Sequence, residues 1–290
     1  MVIQNRNRVA FFFLFPTLLG LVLFKIYPII DSLFRSFYAF SFQQQREIFV
    51  FFDQYAEVLG SPEFWTSLRV TLVFNLATVP LQVVMALALA LLLNRRRPGI
   101  NVIRSLIMFP VGISLPVATV MWGIILNPHL GLANSLIRMV GLYPQPFLTS
   151  SSQALPSIIW IATWKGVPYW VIFFLAGLKG IPDTYYECAT IDGARAWTVF
   201  RKITLPLLRR TMLFVVAANT IANFLLFVPP YMLTRGGPRM STNVLMYEVF
   251  KQGFVYVNMN RSLAMMNLLL VLLFVVIFFQ FRLLRASHEY

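Results

Sequence analysis

Four stretches of this chain, Val70 to Leu93, Ser105 to Ile137, Thr211 to Thr234 and Ser262 to Phe281, pass without a single charged residue. A helix needs about 20 mainly apolar residues to cross the hydrocarbon core of a bilayer, and each stretch is long enough to do so. The second exceeds one span, because it continues past Leu126 into Asn127, Pro128 and Gly131, which end a helix. A further span runs from Val9 to about Ile26, with Lys25 placed to snorkel from its end, and another runs from Ala154 to Leu178 with Lys165 inside it. These make six transmembrane helices in an all-α, polytopic fold. No small-residue cleavage site follows Phe24, so the first apolar run is read as a retained span rather than a cleaved signal.

The composition agrees, at 59% hydrophobic and 12% charged, against about 25% charged in soluble domains. The net charge of +14 is spread between apolar runs and forms no basic domain, which argues against a nucleic-acid partner. One cysteine, Cys188, excludes an internal disulfide, and His129 and His288 offer no zinc spacing with it. With both termini in the cytoplasm, the inside segments hold more than half of the 24 Lys and Arg, including Arg6, Arg8, Arg95, Arg96, Arg97, Arg209, Arg210 and Arg285. The positive-inside rule therefore places the N-terminus in the cytoplasm. The outside segments run from about Ile30 to Arg69, Asn127 to Gln153 and Arg235 to Arg261, and the pieces Phe49 to Leu59 and Leu132 to Leu142 suit short interfacial helices.

Between the fourth and fifth spans lies an inside segment with its own helical signals. Pro182 suits a first turn, Asp183 the positive end of the helix dipole, and Gly193 a left-handed stop. A second helix follows from about Ala196 to Ile203 and ends before Pro206. In the first, Tyr185, Ala189 and Asp192 share a face, with small Cys188 and Ala189 allowing close approach of another surface. From periodicity alone, a docking helix and a plain amphipathic connector are equally open.

Glu187, Cys188, Ala189, then Gly193, then Ile203, Leu205 and Pro206 resemble the EAA loop of ABC-importer permeases, with Cys188 in place of the first alanine. The resemblance implies the type I ABC-importer permease fold, and an elbow in which Tyr185, Glu187, Ala189, Asp192 and Gly193 couple the chain to a cytoplasmic ATPase. It implies as partners a second homologous permease subunit, two ATP-binding subunits, an external solute-binding protein and membrane lipid. The chain has no phosphate-binding Gly-x-x-x-x-Gly-Lys-Ser/Thr loop. ATP and Mg are therefore expected on the partner subunits, no cofactor on this chain, and no enzymatic activity in it.

Thr234 to Pro238, TRGGP, resembles an element in the first permease subunit of the maltose-type and glycerol-phosphate-type importers, and the similarity runs from about Trp65 to the C-terminus. The same residues make a tight turn in any case. Polar and irregular groups within lipid usually face a cavity or another helix. The run Trp164 to Trp170, with Lys165, Gly166, Pro168 and Tyr169, is expected to break its helix, and Asn219, Asn223 and Phe227 to share one face of the fifth span. Together Gly166, Tyr169, Trp170, Asn219, Asn223 and Phe227 would form a polar and aromatic cleft suited to a carbohydrate. The resemblance implies a solute pocket at Gly166, Tyr169 and Asn219 to Phe227, with Ala222 and Leu226 departing from the family's pattern. Asn219 and Asn223 as interhelical glue is the alternative. Lys165 points toward an anionic sugar derivative or sugar phosphate as the other reading, but the resemblance extends to carriers of neutral sugars with a basic residue after the Trp, and the sequence leaves its contact with solute open.

A secondary transporter would also need polar groups at mid-membrane, but it would want intramembrane carboxylates, and every acidic residue here is read as lying in a loop or at a membrane edge. An intramembrane enzyme lacks a base or nucleophile in the spans. The organisation expected is a first span with its external segment at 1–64, a core permease domain at 65–284 with the coupling elbow at 180–206, and a tail at 285–290. A membrane-impermeant maleimide should leave Cys188 unlabelled in intact spheroplasts and react with it once they are permeabilised; labelling from outside would reverse the orientation.

Overall fold

The computed structural model describes residues 2–41, 46–94 and 98–284. Arg95, Arg96, Arg97, the tail at 285–290 with Arg285 and His288, and the side chains of Arg6 and Arg8 lie outside the described residues. The chain forms two compact units, one of residues up to Pro62 with Val249–Val271, the other of Glu63–Glu248 with the chain from Leu272.

In the first unit α1 (Val2–Leu21) continues through a π turn at Val22–Ile26 into α2 (Tyr27–Arg35). The span Phe11–Arg35 leaves its apolar side chains outward, with Phe12 and Phe24 each 80% exposed, a surface that lipid tolerates as water does not. Two antiparallel strands, β1 (Tyr38–Ser41) and β2 (Arg46–Phe49), add a small hairpin with Tyr38 opposite Phe49. This is a local departure from the all-helical reading: the aromatic and β-branched residues there favour pairing over an interfacial helix, which starts only at α3 (Asp53–Gly60). Asn260 donates to the Arg35 carbonyl at 3.1 Å and Asn267 to the Ser32 carbonyl at 3.4 Å, satisfying the last turn of α2.

The second unit is built on α4 (Pro62–Leu93) and α8 (Ala154–Lys179). The second uncharged stretch is not one straight span. It is divided into α5 (Ile100–Gly112) and α6 (Leu115–Ile125), bent by 100°. Gly112, and Pro116 in the first turn of α6, account for the break, because proline starts a helix better than it continues one. The short helix α7 (Leu132–Met139) follows as expected.

After α9 (Asp183–Ile191), α10 (Ala196–Val199) runs through a π turn at Phe200–Thr204 into α11 (Leu205–Leu207), and the chain bends by 67° into α12 (Arg209–Phe224). The second elbow helix therefore passes Pro206 instead of stopping before it. Pro206 falls in the first turn after the π segment, where its missing N–H is tolerated. α13 (Leu245–Phe250) carries Glu248, which is 1% exposed and accepts a hydrogen bond from Asn243 Nδ2 at 2.7 Å. The carboxylate is thus buried on a helix and not carried by a loop, and a charge in such a site needs a donor beside it.

The main core joins Ala86, Ala90 and Leu93 of α4, Val167, Trp170, Val171, Phe174 and Leu178 of α8, and Leu208 and Val215 around α12. Small residues let the helices approach closely. A Cβ on Gly177 would lie 2.6 Å from Thr211 Oγ1 and 2.9 Å from Leu208 Cδ2. Gly177→Val should therefore cost about 1–3 kcal/mol, measured as a lowered thermal unfolding temperature in detergent; an unchanged temperature would mean that α8 and α12 do not pack as described.

Candidate functional site

One buried glutamine organises the cleft. Gln82, on α4 and 1% exposed, donates through Nε2 to the Ala162 carbonyl of α8 at 2.9 Å and accepts from Asn223 Nδ2 of α12 at 3.2 Å. Asn223 Nδ2 also meets Asn219 Oδ1 at 2.6 Å and the Asn219 carbonyl at 3.0 Å. A Cβ on Gly166 would sit 2.9 Å from Gln82 Nε2, so the glycine makes room for the amide instead of contacting solute through a side chain. Beside this cluster lies a cavity of about 420 Å³, lined by Gln82, Lys165, Gly166, Tyr169, Trp170, Asn219 and Asn223 with Val111, Leu115, Ala162, Ala222 and Leu226. Ligand pockets range over about 300–1,000 Å³.

Five of the six expected cleft residues are brought together there, and Phe227 is not. α12 ends at Phe224, and the chain becomes helical again only at Val228, where Pro229 and Pro230 open the next turn as prolines at a helix start do. Phe227 leaves the helix frame and stacks on Tyr231, with ring centroids 5.0 Å apart. Trp170 is 5% exposed and belongs mainly to the core, whereas Tyr169, 46% exposed, presents its ring at the mouth. Nor do Pro168 and Gly166 break α8, which is helical from end to end; packed neighbours let a membrane helix keep its course past a proline.

Lys165 lines the cavity, but its ammonium donates to the carbonyls of Pro110 at 2.6 Å and Val111 at 3.1 Å. These are the last carbonyls of α5, where a cation completes both hydrogen bonding and the helix dipole. Gln82 was missed in the sequence: it sits within an uncharged apolar run, and its partners are 80 and 141 residues away.

The elbow forms a second candidate site. Gly193, at φ +64°, donates to the Thr190 carbonyl at 3.1 Å and Ala194 to the Ala189 carbonyl at 2.9 Å, the paired bonds of a left-handed helix stop. Pro182 lies just outside the helix, one position earlier than expected, and Asp183 opens it. Tyr185, Cys188, Ala189 and Asp192 face Thr198, Val199, Lys202 and Ile203 across a groove of about 460 Å³. Glu187 is exposed on α9 and does not line that groove. Tyr186 meets Thr204 at 3.3 Å between hydroxyl oxygens and packs on the main core, tying the elbow to the spans.

Several apolar spans, a buried amide cleft and an exposed elbow between two spans define the class of membrane permeases. The chain belongs to the family of binding-protein-dependent transport system inner membrane components, whose model matches residues 82–287. An sn-glycerol-3-phosphate transport system permease protein of Brucella abortus is 34% identical over 281 residues, covering 97% of this chain and 96% of that one. A trehalose/maltose transport system permease protein of Thermococcus litoralis is 29% identical over 274 residues, covering 93% and 92%. Among solved structures, a bacterial ABC transporter involved in the import of the acidic polysaccharide alginate matches with a TM-score of 0.82 at 21% identity, over 98% of each chain, and shows the same fold.

Lys165→Met should remove the charged cap from α5 at a cost of about 1.5–3 kcal/mol, seen as a lower unfolding temperature. Wild-type stability would mean that the ammonium does not hold the bend between α5 and α6.

Proposed function

We propose that this chain is the first of two permease subunits of an ATP-driven importer for a carbohydrate, and that the solute passes through the cleft walled by α4, α8 and α12. The observation that carries the reading is the convergence of three amides, Gln82, Asn219 and Asn223, beside the half-exposed ring of Tyr169. Sugar hydroxyls take amide hydrogen bonds, and sugar C–H faces lie against aromatic rings. In this conformation the amides bond mostly to one another. Solute would compete for those bonds when the helices part, as a pathway open alternately to each side requires.

Both termini are placed in the cytoplasm, with the elbow there to meet the ATPase subunits, which carry ATP and Mg. Tyr185, Ala189 and Asp192 would meet the ATPase along the elbow groove, and Glu187 from the exposed flank of α9. The turn at Thr234 to Pro238 is assigned to the outer face, where the solute-binding protein docks. Relatives named for glycerol phosphate and for trehalose and maltose support the sugar-like class.

An anionic solute is the second reading, favoured by Lys165 in the cavity lining. Its ammonium is held by two backbone carbonyls, which makes neutral carbohydrate the better fit. In reconstituted complexes, Tyr169→Ala and Asn223→Leu should each lower uptake by the equivalent of about 1–3 kcal/mol, with basal ATPase activity as the control for assembly. Lys165→Met complexes that assemble should keep their preference for neutral over acidic sugars. Normal uptake by the first two variants, with loss in Lys165→Met alone, would contradict this placement and point to an anionic solute.

A further inference from the structure

Gln82 is the inner end of a longer pattern. Ser67, Thr71, Asn75, Thr78 and Gln82 fall on one face of α4, and each is at most 5% exposed. Fifteen residues of helix cover about 22 Å, most of a hydrocarbon core about 30 Å thick. Beyond Gln82 the same face turns small and apolar, with Ala86, Ala90 and Leu93. A single buried amide can be glue between helices, but a polar face of this length needs a further account.

The two ends of the stripe are held. Ser67 Oγ accepts from Asn243 Nδ2 and Thr71 Oγ1 from the Leu245 N–H, both at 2.7 Å, while Gln82 bridges α8 and α12. The middle is not. Asn75 Oδ1 and Thr78 Oγ1 are buried without a hydrogen-bond partner among the described residues, and so are Thr163 Oγ1 of α8 and Asn219 Nδ2 of α12. Buried polar atoms of a folded protein are nearly always partnered. Four exceptions on the three helices that wall one cleft point to a partner that arrives in another state. The atoms are an amide oxygen that accepts, an amide nitrogen that donates and two hydroxyls that do both. None of the four carries a charge, so the partner they suit is a neutral molecule rich in hydroxyls.

We infer that the Asn75–Thr78 segment of α4, with Thr163 and Asn219, is a second solute subsite on the outer side of the cleft, uncovered when α4 separates from α8 and α12. The inference rests on the proposed import of carbohydrate through that cleft, and it extends the path toward the external face.

The test uses the complete reconstituted complex in a Cys188→Ala background, whose own uptake sets the reference. Asn75→Cys and Thr78→Cys should react with a membrane-impermeant methanethiosulfonate reagent at least tenfold faster in the complex trapped with binding protein, ATP and vanadate than in the resting one. Ala86→Cys and Ala90→Cys should stay unreactive in both. Failure of positions 75 and 78 to label in either state, with the thiols reactive after denaturation, would overturn the inference. Thr78→Val guards against misfolded cysteine variants, because it replaces an unpartnered hydroxyl by a methyl of like shape. It should raise the unfolding temperature while lowering uptake; higher stability with unchanged uptake would make the stripe purely structural and overturn the inference. State-dependent labelling in a complex that takes up no carbohydrate would contradict the proposed solute class while supporting the opening of the stripe.

Discussion

The contact of Gln82 with Ala162 and Asn223 is the interaction on which the cleft depends. It joins α4, α8 and α12 through one side chain, and it is possible only because Gly166 leaves no Cβ in its way. Within a bilayer an amide cannot fall back on water, so its bonds are either made between helices or transferred to something that enters between them. On the proposed reading, the same bridge closes the cleft and is the bond that an entering solute replaces. Lys165 does a related task from the opposite wall, holding the end of α5 by its backbone so that the bend into α6 keeps a fixed place beside the cavity.

The elbow and the cleft are parts of one continuous piece of chain. From Ala196 the backbone stays helical through the π turn and Pro206, bends by 67° at Leu208, and continues as the helix that carries Asn219 and Asn223. Leu208 itself is fully buried in the core. On the proposed reading, a push on the elbow groove pivots at that residue and moves Asn223 relative to Gln82. Only about 15 Å of helix separates Arg209 from Asn219, so little of the motion is lost to bending.

Much of this was legible in the sequence, and for definite reasons. Charge-free runs mark spans because no charge is tolerated cheaply in lipid, and Gly193 marked the end of α9 because few other residues adopt a left-handed backbone. The errors arose where local signals compete with packing. Pro168 suggests a broken helix, yet α8 stays helical from Ala154 to Lys179; Gly112 and Pro116 do break one, inside an apolar run whose length hides the break. Helical spacing places Phe227 beside Asn223, although α12 ends at Phe224 and the chain turns before the next helical segment opens at the two prolines. Gln82 could not be found by periodicity, because what singles it out is contact with residues far along the chain. Membership of the permease family agrees with the fold read from the spans.

The most direct test is to determine the structure of the complex trapped with ATP and vanadate in the presence of the carbohydrate it imports. The account predicts solute density between Tyr169 and the amides of Asn219 and Asn223, with the Gln82 to Asn223 bond broken. A solute bound elsewhere while that bond stays closed would contradict it.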